Sequence, residues 1–232
     1  MTARRSLTLC PDCPAERNGV LDQLTGRGQS PCAFRCEAIG ARQPLPPSWF
    51  GAYGLALVRR GIVIRQRIDA QGTATAIDAV GPGGAIPLME GGDASNSGYA
   101  VEDALLCLCP RPTLSAAIDG GAPTSAQIVG LHLAVLDRVE RIAGARSSTT
   151  AILRVGTLLC ALADTLSPPR RLTCIPAGLQ QRDLAALLSL RHESVCRALR
   201  TLEDRGAIER TNDGIRLANR SGLEAPLVDS AP

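Results

Sequence analysis

Apolar residues between positions 34 and 110 occur in short runs that are separated by turn signals. The runs cover residues 55–61, 62–68, 73–80 and 99–109, and the turn signals lie at residues 71–72, 81–84 and 91–93. Several short strands at this spacing are typical of a small β-barrel or β-sandwich. The first half of the chain is therefore predicted to be a β domain.

The apolar pattern changes its period after residue 122. Thr124 and Gln127 have the spacing of a helix-start capping box. Positions that alternate in steps of four and three residues then form a helical seam, which consists of Ile128, His132, Val135, Val139 and Ile142. A second apolar face contains Leu131, Leu133 and Leu136. We expect one face to cover the β domain and the seam to form a homodimer interface. A second helix, over residues 150–165, is predicted to end before Pro168-Pro169.

The C-terminal segment predicts a winged helix-turn-helix. Helices are predicted over residues 179–188 and 192–204, and a hairpin signal, Thr211-Asn-Asp-Gly214, follows them. The second helix of such a module enters the major groove of DNA with its first turns. The candidate DNA-binding residues on it are Arg191, His192, Glu193, Cys196, Arg197 and Arg200. The alternative for Glu193 and Arg197 is an ordinary ion pair on a solvated helix face.

The distribution of charge supports a polyanionic partner for this segment. All 25 basic residues are arginines, and the formal net charge is +3. Residues 167–220 hold 10 arginines against 6 acidic residues, so this segment alone has a charge of +4. Aromatic residues make up only 2% of the chain, which argues against stacking platforms for single-stranded nucleic acid.

Nine cysteines occur in a chain that has no secretory signal pattern and no run of the roughly 20 apolar residues that a membrane helix needs. We therefore expect a cytoplasmic protein without a membrane partner, whose cysteines serve metal, redox or thiol chemistry. The main candidates are Cys10, Cys13, Cys32, Cys36, Cys107 and Cys109. Such thiolates suit zinc or an iron–sulfur cluster, and three Cys-Pro dipeptides keep haem as an alternative. A thiol–disulfide enzyme is disfavoured because the C-x-x-C pair lacks a βαβ setting.

The order of β domain, long helix and winged helix-turn-helix resembles the Crp/Fnr family of transcription regulators over residues 20–222. The recognition-helix pattern of that family, E-x-x-S-R, is similar to Glu193, Cys196 and Arg197, with a cysteine where serine or glycine is usual. The resemblance implies an α+β regulator, not an enzyme, with a jelly-roll-like β-roll sensor domain. It also implies a homodimer on double-stranded DNA with palindromic TTGA-like half-sites, and RNA polymerase is a further candidate partner.

The resemblance divides the chain into five parts. They are a cysteine-rich segment (1–36), the β-roll sensor domain (37–121), the dimerisation helix with a linking helix (122–166), the winged helix-turn-helix (167–222) and a tail (223–232).

Within the family, the cysteines resemble those of the Fnr branch. Residues 107–114 are similar to its internal segment C-x-x-P-x-x-T-L, and residues 10–13 resemble its N-terminal C-x-x-C. The resemblance implies a 4Fe–4S cluster that senses oxygen, nitric oxide or redox state. Its candidate metal ligands are Cys10, Cys13, Cys32, Cys36 and Cys107. The branch's third N-terminal cysteine is absent from residues 14–19, so Cys32, Cys36, Cys109 or a non-cysteine must complete the set.

The alternatives to a cluster are zinc, haem or reversible thiol oxidation, for which Cys196 is a candidate. A cyclic-nucleotide sensor is not expected. The phosphate cassette of that branch needs charged residues, whereas this chain has Gly84-Ala85 and Asn96-Ser97-Gly98 in the corresponding places.

Overall fold

The computed structural model of the protein describes residues 34–88, 95–119, 122–166 and 173–224. Within these ranges the first part contains seven strands. They are β1 (Arg35–Ile39), β2 (Tyr53–Arg60), β3 (Val63–Ile68), β4 (Ala74–Val80), β5 (Ala85–Pro87), β6 (Ser95–Ala100) and β7 (Ala104–Pro110). One antiparallel sheet has the order β1-β7-β2-β5, and the other has the order β4-β3-β6. The predicted β domain is confirmed, and we call it the β-roll.

The first sheet is buried on both of its faces. Ala56, Val58 and Leu106 belong to the apolar core between the two sheets. Leu57 and Cys107, which alternate with them along the strands, point to the opposite face and pack under helices. Because both faces are covered, these strands are nearly continuous apolar runs in the sequence.

Three helices follow the β-roll, namely α1 (Arg111–Asp119), α2 (Ala122–Ser147) and α3 (Ala151–Thr165). The sequence pattern does not indicate α1. The 26 residues of α2 give it a length of about 39 Å. Thr150 begins α3 because its hydroxyl accepts a hydrogen bond from the amide of Leu153. No helix in the described ranges has the length and apolar character that crossing a membrane requires.

The predicted dimer seam of α2 does not form one exposed face. Ile128, Val135 and Ile142 are buried within their own chain, under the first sheet and beside α3. Val139 is half-buried, and His132 is exposed. The Nδ1 atom of His132 lies 2.9 Å from the carbonyl oxygen of Ile128, so the ring is held by its own helix.

The apolar residues that α2 exposes are displaced by one position from most of that seam. They are Val129, Leu133 and Leu136, which are 57%, 60% and 54% exposed. We call these three residues the α2 stripe. This corrects the predicted seam, in which Ile128 and Val135 were expected to face a second copy. The outer face of the first sheet covers these two residues instead.

A buried ion cluster fastens α2 to the β-roll. Asp78 on β4 is fully buried, and its carboxylate accepts hydrogen bonds from Arg138 on α2 at 3.0 Å and from Arg65 on β3 at 3.3 Å. Arg138 also donates to the carbonyl oxygen of Ala85 at 2.7 Å. A buried carboxylate needs such partners, since an unpaired charge in the interior is costly.

The C-terminal part is a winged helix-turn-helix, as predicted. Its elements are β8 (Cys174–Pro176), α4 (Gln181–Leu188), α5 (His192–Asp204), β9 (Ile208–Thr211), β10 (Gly214–Leu217) and α6 (Arg220–Glu224). The three strands form an antiparallel sheet in the order β8-β10-β9. Ser189 adopts a left-handed conformation, with φ of 53°, and turns the chain from α4 into α5.

The chain stays packed beyond the predicted start of the tail. Leu223 in α6 is buried, and its backbone approaches α3 so closely that a Cβ at Gly156 would lie 2.2 Å from the carbonyl oxygen of Leu223. Residues 225–232 lie outside the described residues.

Candidate nucleic-acid interface and thiol site

The helix α5, which is the predicted recognition helix, is amphipathic and packs into the module with one face buried. Val195, Ala198, Leu199 and Leu202 form its inner face. The five predicted DNA-binding residues with charged or imidazole side chains are all exposed, namely Arg191, His192, Glu193, Arg197 and Arg200. The first turns of α5 are therefore accessible, as a helix that enters the major groove of DNA must be.

The side chains of Glu193 and Arg197 face solvent without the ion pair that was the alternative prediction. Neither side chain makes a hydrogen bond or ion pair with any residue of the described ranges. Both groups are thus available for base edges, where arginine pairs with guanine and a carboxylate accepts from the amino group of cytosine.

Cys196, the sixth predicted DNA-binding residue, is half-buried between the two helices of the module. Its thiol donates to Oε1 of Gln181, in the first turn of α4, at 2.7 Å. The same Sγ lies 3.5 Å from Nδ1 of His192. The thiol therefore links α4 to α5 and lies at the edge of the DNA-facing surface.

Ion pairs neutralise only some of the arginines in the module. Arg210 on β9 bonds Glu203 at the end of α5, with Nε to Oε2 at 2.7 Å, and it holds the pKa of that carboxyl below its usual range. Arg216 on β10 pairs with Glu209 across the wing at 3.4 Å. Within the described part of the module, the exposed arginines that have no carboxylate within ion-pair distance are Arg182, Arg191, Arg197, Arg200 and Arg205. These uncompensated charges suit a phosphate backbone.

The structure brings two of the five predicted metal ligands together. Cys36 on β1 and Cys107 on β7 are directly opposite each other in the antiparallel pair, with their Sγ atoms 3.4 Å apart. Cys109 is fully buried on the same face, as the strand alternation predicts. Cys10, Cys13 and Cys32 lie outside the described residues. Among the residues that are described, no group of three or more potential metal ligands comes together.

The thiol pair lies between the first sheet and the long helix. Cys107 and Cys109 belong to the same buried cluster as Ile128, Leu131 and Val135 of α2, and Cys36 packs against that cluster. Any change of volume or charge at these thiols therefore acts directly on the packing of α2.

Sequence reasoning missed three residues that join the β-roll to the DNA-binding module. Arg42, Tyr99 and Asp183 meet although they are 84 and 141 positions apart in the chain. The only local signal is the position of Asp183 in the first turn of α4, where a carboxylate caps the helix. Nothing in the neighbouring sequence indicates its partners.

Comparisons with known proteins agree with this arrangement. Residues 153–225 match the family model of the Crp-like helix-turn-helix domain. No curated protein matches the chain. Among solved structures, the chain is similar to FixK2 from Bradyrhizobium japonicum, with 21% identity, a TM-score of 0.67 and coverage of 82% of this chain and 95% of that chain.

Two further solved structures show the same fold. A CooA variant from Carboxydothermus hydrogenoformans is 18% identical, with a TM-score of 0.66 and coverage of 88% of this chain and 94% of that chain. A cyclic nucleotide-binding domain containing protein from Listeria monocytogenes EGD-e is 14% identical, with a TM-score of 0.68 and coverage of 89% and 99%. The matched domain contains α5 and the hairpin of β9 and β10. The chain therefore contains a Crp-like helix-turn-helix domain, and its described residues share the fold of these solved structures.

Proposed function

We propose that the chain is a DNA-binding transcription regulator of the Crp/Fnr family and not an enzyme. An iron–sulfur cluster of the 4Fe–4S type controls its DNA affinity in this proposal, and Cys107 holds the cluster together with cysteines of the N-terminal segment. The observation that supports this proposal is the thiol pair of Cys36 and Cys107, which is packed against α2. When bound, such a cluster supplies iron that reacts with oxygen or nitric oxide.

The thiols of this chain fit the group chemically. Thiolates are the ligands of iron–sulfur clusters, and four of them complete the usual set. A cluster of four irons would take one thiolate at each iron, so Cys107 would act with Cys10 and Cys13. Cys32 or Cys36 would complete the set, and Cys36 already lies 3.4 Å from Cys107.

The separation of the two thiols favours a second candidate sensor. Two thiolates that share one tetrahedral zinc ion lie roughly 3.8 Å apart, which is close to the 3.4 Å between Cys36 and Cys107. Without a metal, hydrogen peroxide can oxidise the same pair to a disulfide. The peroxide is then reduced to two water molecules, which take up the two thiol protons.

The position of the thiols explains how either sensor would reach the dimer. The resemblance to the Crp/Fnr family implies that the chain binds DNA as a homodimer. We infer that the α2 stripe meets the same stripe of a second copy, because the opposite side of α2 is already packed against the β-roll. Binding of a metal group to Cys107, or oxidation of its thiol, would then change the position of α2. Such a change would shift the population between two arrangements of the dimer.

The recognition helices of such a dimer would read a palindrome. Arg197 and Glu193 present a guanidinium and a carboxylate without partners among the described residues, which suits one G·C pair in each half-site. We propose TTGA-like half-sites on this basis and on the resemblance of α5 to the family's recognition helix.

Anaerobic purification with iron and acid-labile sulfide analysis tests the cluster. We expect iron and sulfide in near-equal amounts and a broad visible absorbance that air or nitric oxide bleaches. Cys107→Ala should lose all three signals, whereas Cys174→Ala, a matched change in β8, should keep them. Iron-free, colourless protein after attempted reconstitution would contradict the cluster. Zinc analysis and the loss of two thiols per chain after peroxide would then test the second candidate.

A further inference from the structure

A polar network around one buried carboxylate connects the β-roll to the helix-turn-helix module. The carboxylate of Asp183 is 1% exposed. Arg42 donates to it with Nη1, at 2.7 Å to Oδ1 and 2.8 Å to Oδ2, and the Tyr99 hydroxyl donates to Oδ1 at 2.8 Å. Arg42 also donates to the carbonyl oxygen of Gly178 at 2.8 Å. We call Arg42, Tyr99 and Asp183 the interdomain triad.

The two members from the β-roll, Arg42 and Tyr99, are joined by backbone contacts between their segments. The amide of Arg42 donates to the carbonyl oxygen of Ala100 at 2.8 Å, and Pro44 forms a β-bridge with Tyr99. Arg42 has a φ of 64°, in the left-handed region that residues other than glycine rarely adopt. The loop is thus fixed against β6, and it directs the Arg42 side chain towards the other domain.

The third member, Asp183, belongs to the same packed unit as α5. Asp183 caps α4 by accepting from the amide of Gln180 at 2.8 Å. Leu184 of α4 shares a core with Val195 and Leu199 of α5, so the two helices form one packed unit. A constraint on Asp183 is therefore a constraint on the position of α5.

The two domains also meet on either side of the triad. A Cβ at Gly178 would lie 2.6 Å from Oε2 of Glu102 on the β-roll. At the other end of α4, Arg146 donates to the carbonyl oxygen of Leu187 at 2.6 Å and also to that of Ala76 on β4. The two domains are thus in contact along the length of α4.

We propose that Arg42 and Tyr99 are positioning residues for DNA recognition, which fix the orientation of α5 relative to the dimer axis through Asp183. The triad does not mask the DNA-facing residues of α5, all of which except Cys196 are exposed while it is formed. A dimer must place two recognition helices about 34–36 Å apart to reach both half-sites. The inference rests on the proposed dimer that reads a palindrome.

Binding to two DNA probes separates positioning from direct contact. One duplex carries a palindrome of two TTGA-like half-sites, and the other carries one such half-site with the second scrambled. Arg42→Met should weaken binding to the palindrome at least about tenfold, because loosely held modules lose effective concentration at the second site. Binding to the single half-site should change less than about twofold, since the recognition helix is chemically unaltered. Tyr99→Phe removes only one hydrogen bond and should show the same pattern with a smaller loss.

Arg67→Met is the matched control, because Arg67 is exposed on β3 and its loss removes the same charge. This variant should bind both probes as the unaltered protein does. If Arg42→Met loses the same affinity for both probes, or no affinity for either, the positioning role is overturned. If Arg42→Met does not fold, the same comparison is made with Tyr99→Phe. If the unaltered protein does not prefer the palindrome, the proposed dimeric reading fails instead. Hydrogen exchange without DNA then tests the triad, since α4 amides should exchange faster in Arg42→Met than in Arg67→Met.

Discussion

The arginines of the helix-turn-helix module differ in whether a carboxylate already pairs with their charge. Arg197 lies in the second turn of α5 and has no partner among the described residues, whereas Arg210 is engaged by Glu203. A bidentate arginine–guanine contact contributes about 1–3 kcal/mol of discrimination between bases. The two arginines should therefore differ in what their loss does to sequence preference.

Arg197→Ala should weaken binding to a TTGA-like palindrome by at least about tenfold and reduce the preference over a scrambled duplex. Fluorescence anisotropy with the two duplexes at one salt concentration measures both quantities. Arg60→Ala, which removes an exposed arginine from the β-roll, serves as control and should leave the preference unchanged. A preference that survives in Arg197→Ala would exclude this residue from base recognition.

The buried carboxylate of Asp78 should matter to folding. Asp78→Asn leaves Arg138 and Arg65 without their anion in the interior, and breaking a buried ion pair typically costs about 3–5 kcal/mol. Urea denaturation should show a loss of that size. Asp213→Asn on the exposed wing turn should change stability by less than about 0.5 kcal/mol. Equal stability of the two variants would mean that the cluster contributes nothing.

At the scale of elements, the sequence predicts most of the architecture but not which face of a helix is turned inward. The turn chemistry of the wing and the link between α4 and α5 are local, so residues 179–217 could be assigned correctly. The helix α2 is apolar on two sides, and its buried side depends on where the β-roll lies. The pattern therefore predicts the helix, whereas the contact with the first sheet selects Ile128, Val135 and Ile142 for burial.

The same limit applies to the site residues. Local periodicity predicts that the outer residues of α5 are exposed and that Cys107 and Cys109 share a face. The pairing of β1 with β7, which places Cys36 opposite Cys107, depends on tertiary register. Arg42 and Asp183 illustrate the extreme case, because a contact across 141 residues has no local signature.

Disruption of the α2 stripe should separate the dimer. Leu133→Glu places a charge in the centre of the stripe, and a buried uncompensated carboxylate at an interface is unfavourable. Sedimentation equilibrium should show a shift from dimer to monomer. Ala134→Glu on the neighbouring exposed side of the same helix should remain dimeric. A dimer of unchanged stability in Leu133→Glu would place the interface elsewhere.

In the whole molecule, three connections link the thiol site to the helix-turn-helix module. The thiols contact α2, Asp78 and Arg138 fasten α2 to the β-roll, and the interdomain triad fastens the β-roll to α4. The close approach of Gly81 to Leu166, where a Cβ would lie 1.9 Å from the carbonyl oxygen, adds a contact between the β-roll and the end of α3. A displacement that begins at Cys107 therefore has a continuous packed route to the recognition helix.

In the proposed function, the state of the thiol site sets DNA affinity. The most direct measurement is the affinity of anaerobically purified protein for a TTGA-like palindrome before and after nitric oxide, beside Cys107→Ala. We expect a change of at least about tenfold, which corresponds to about 1.4 kcal/mol of coupling, in the unaltered protein and none in the variant. An affinity that nitric oxide leaves unchanged, or a change that persists in Cys107→Ala, would contradict it.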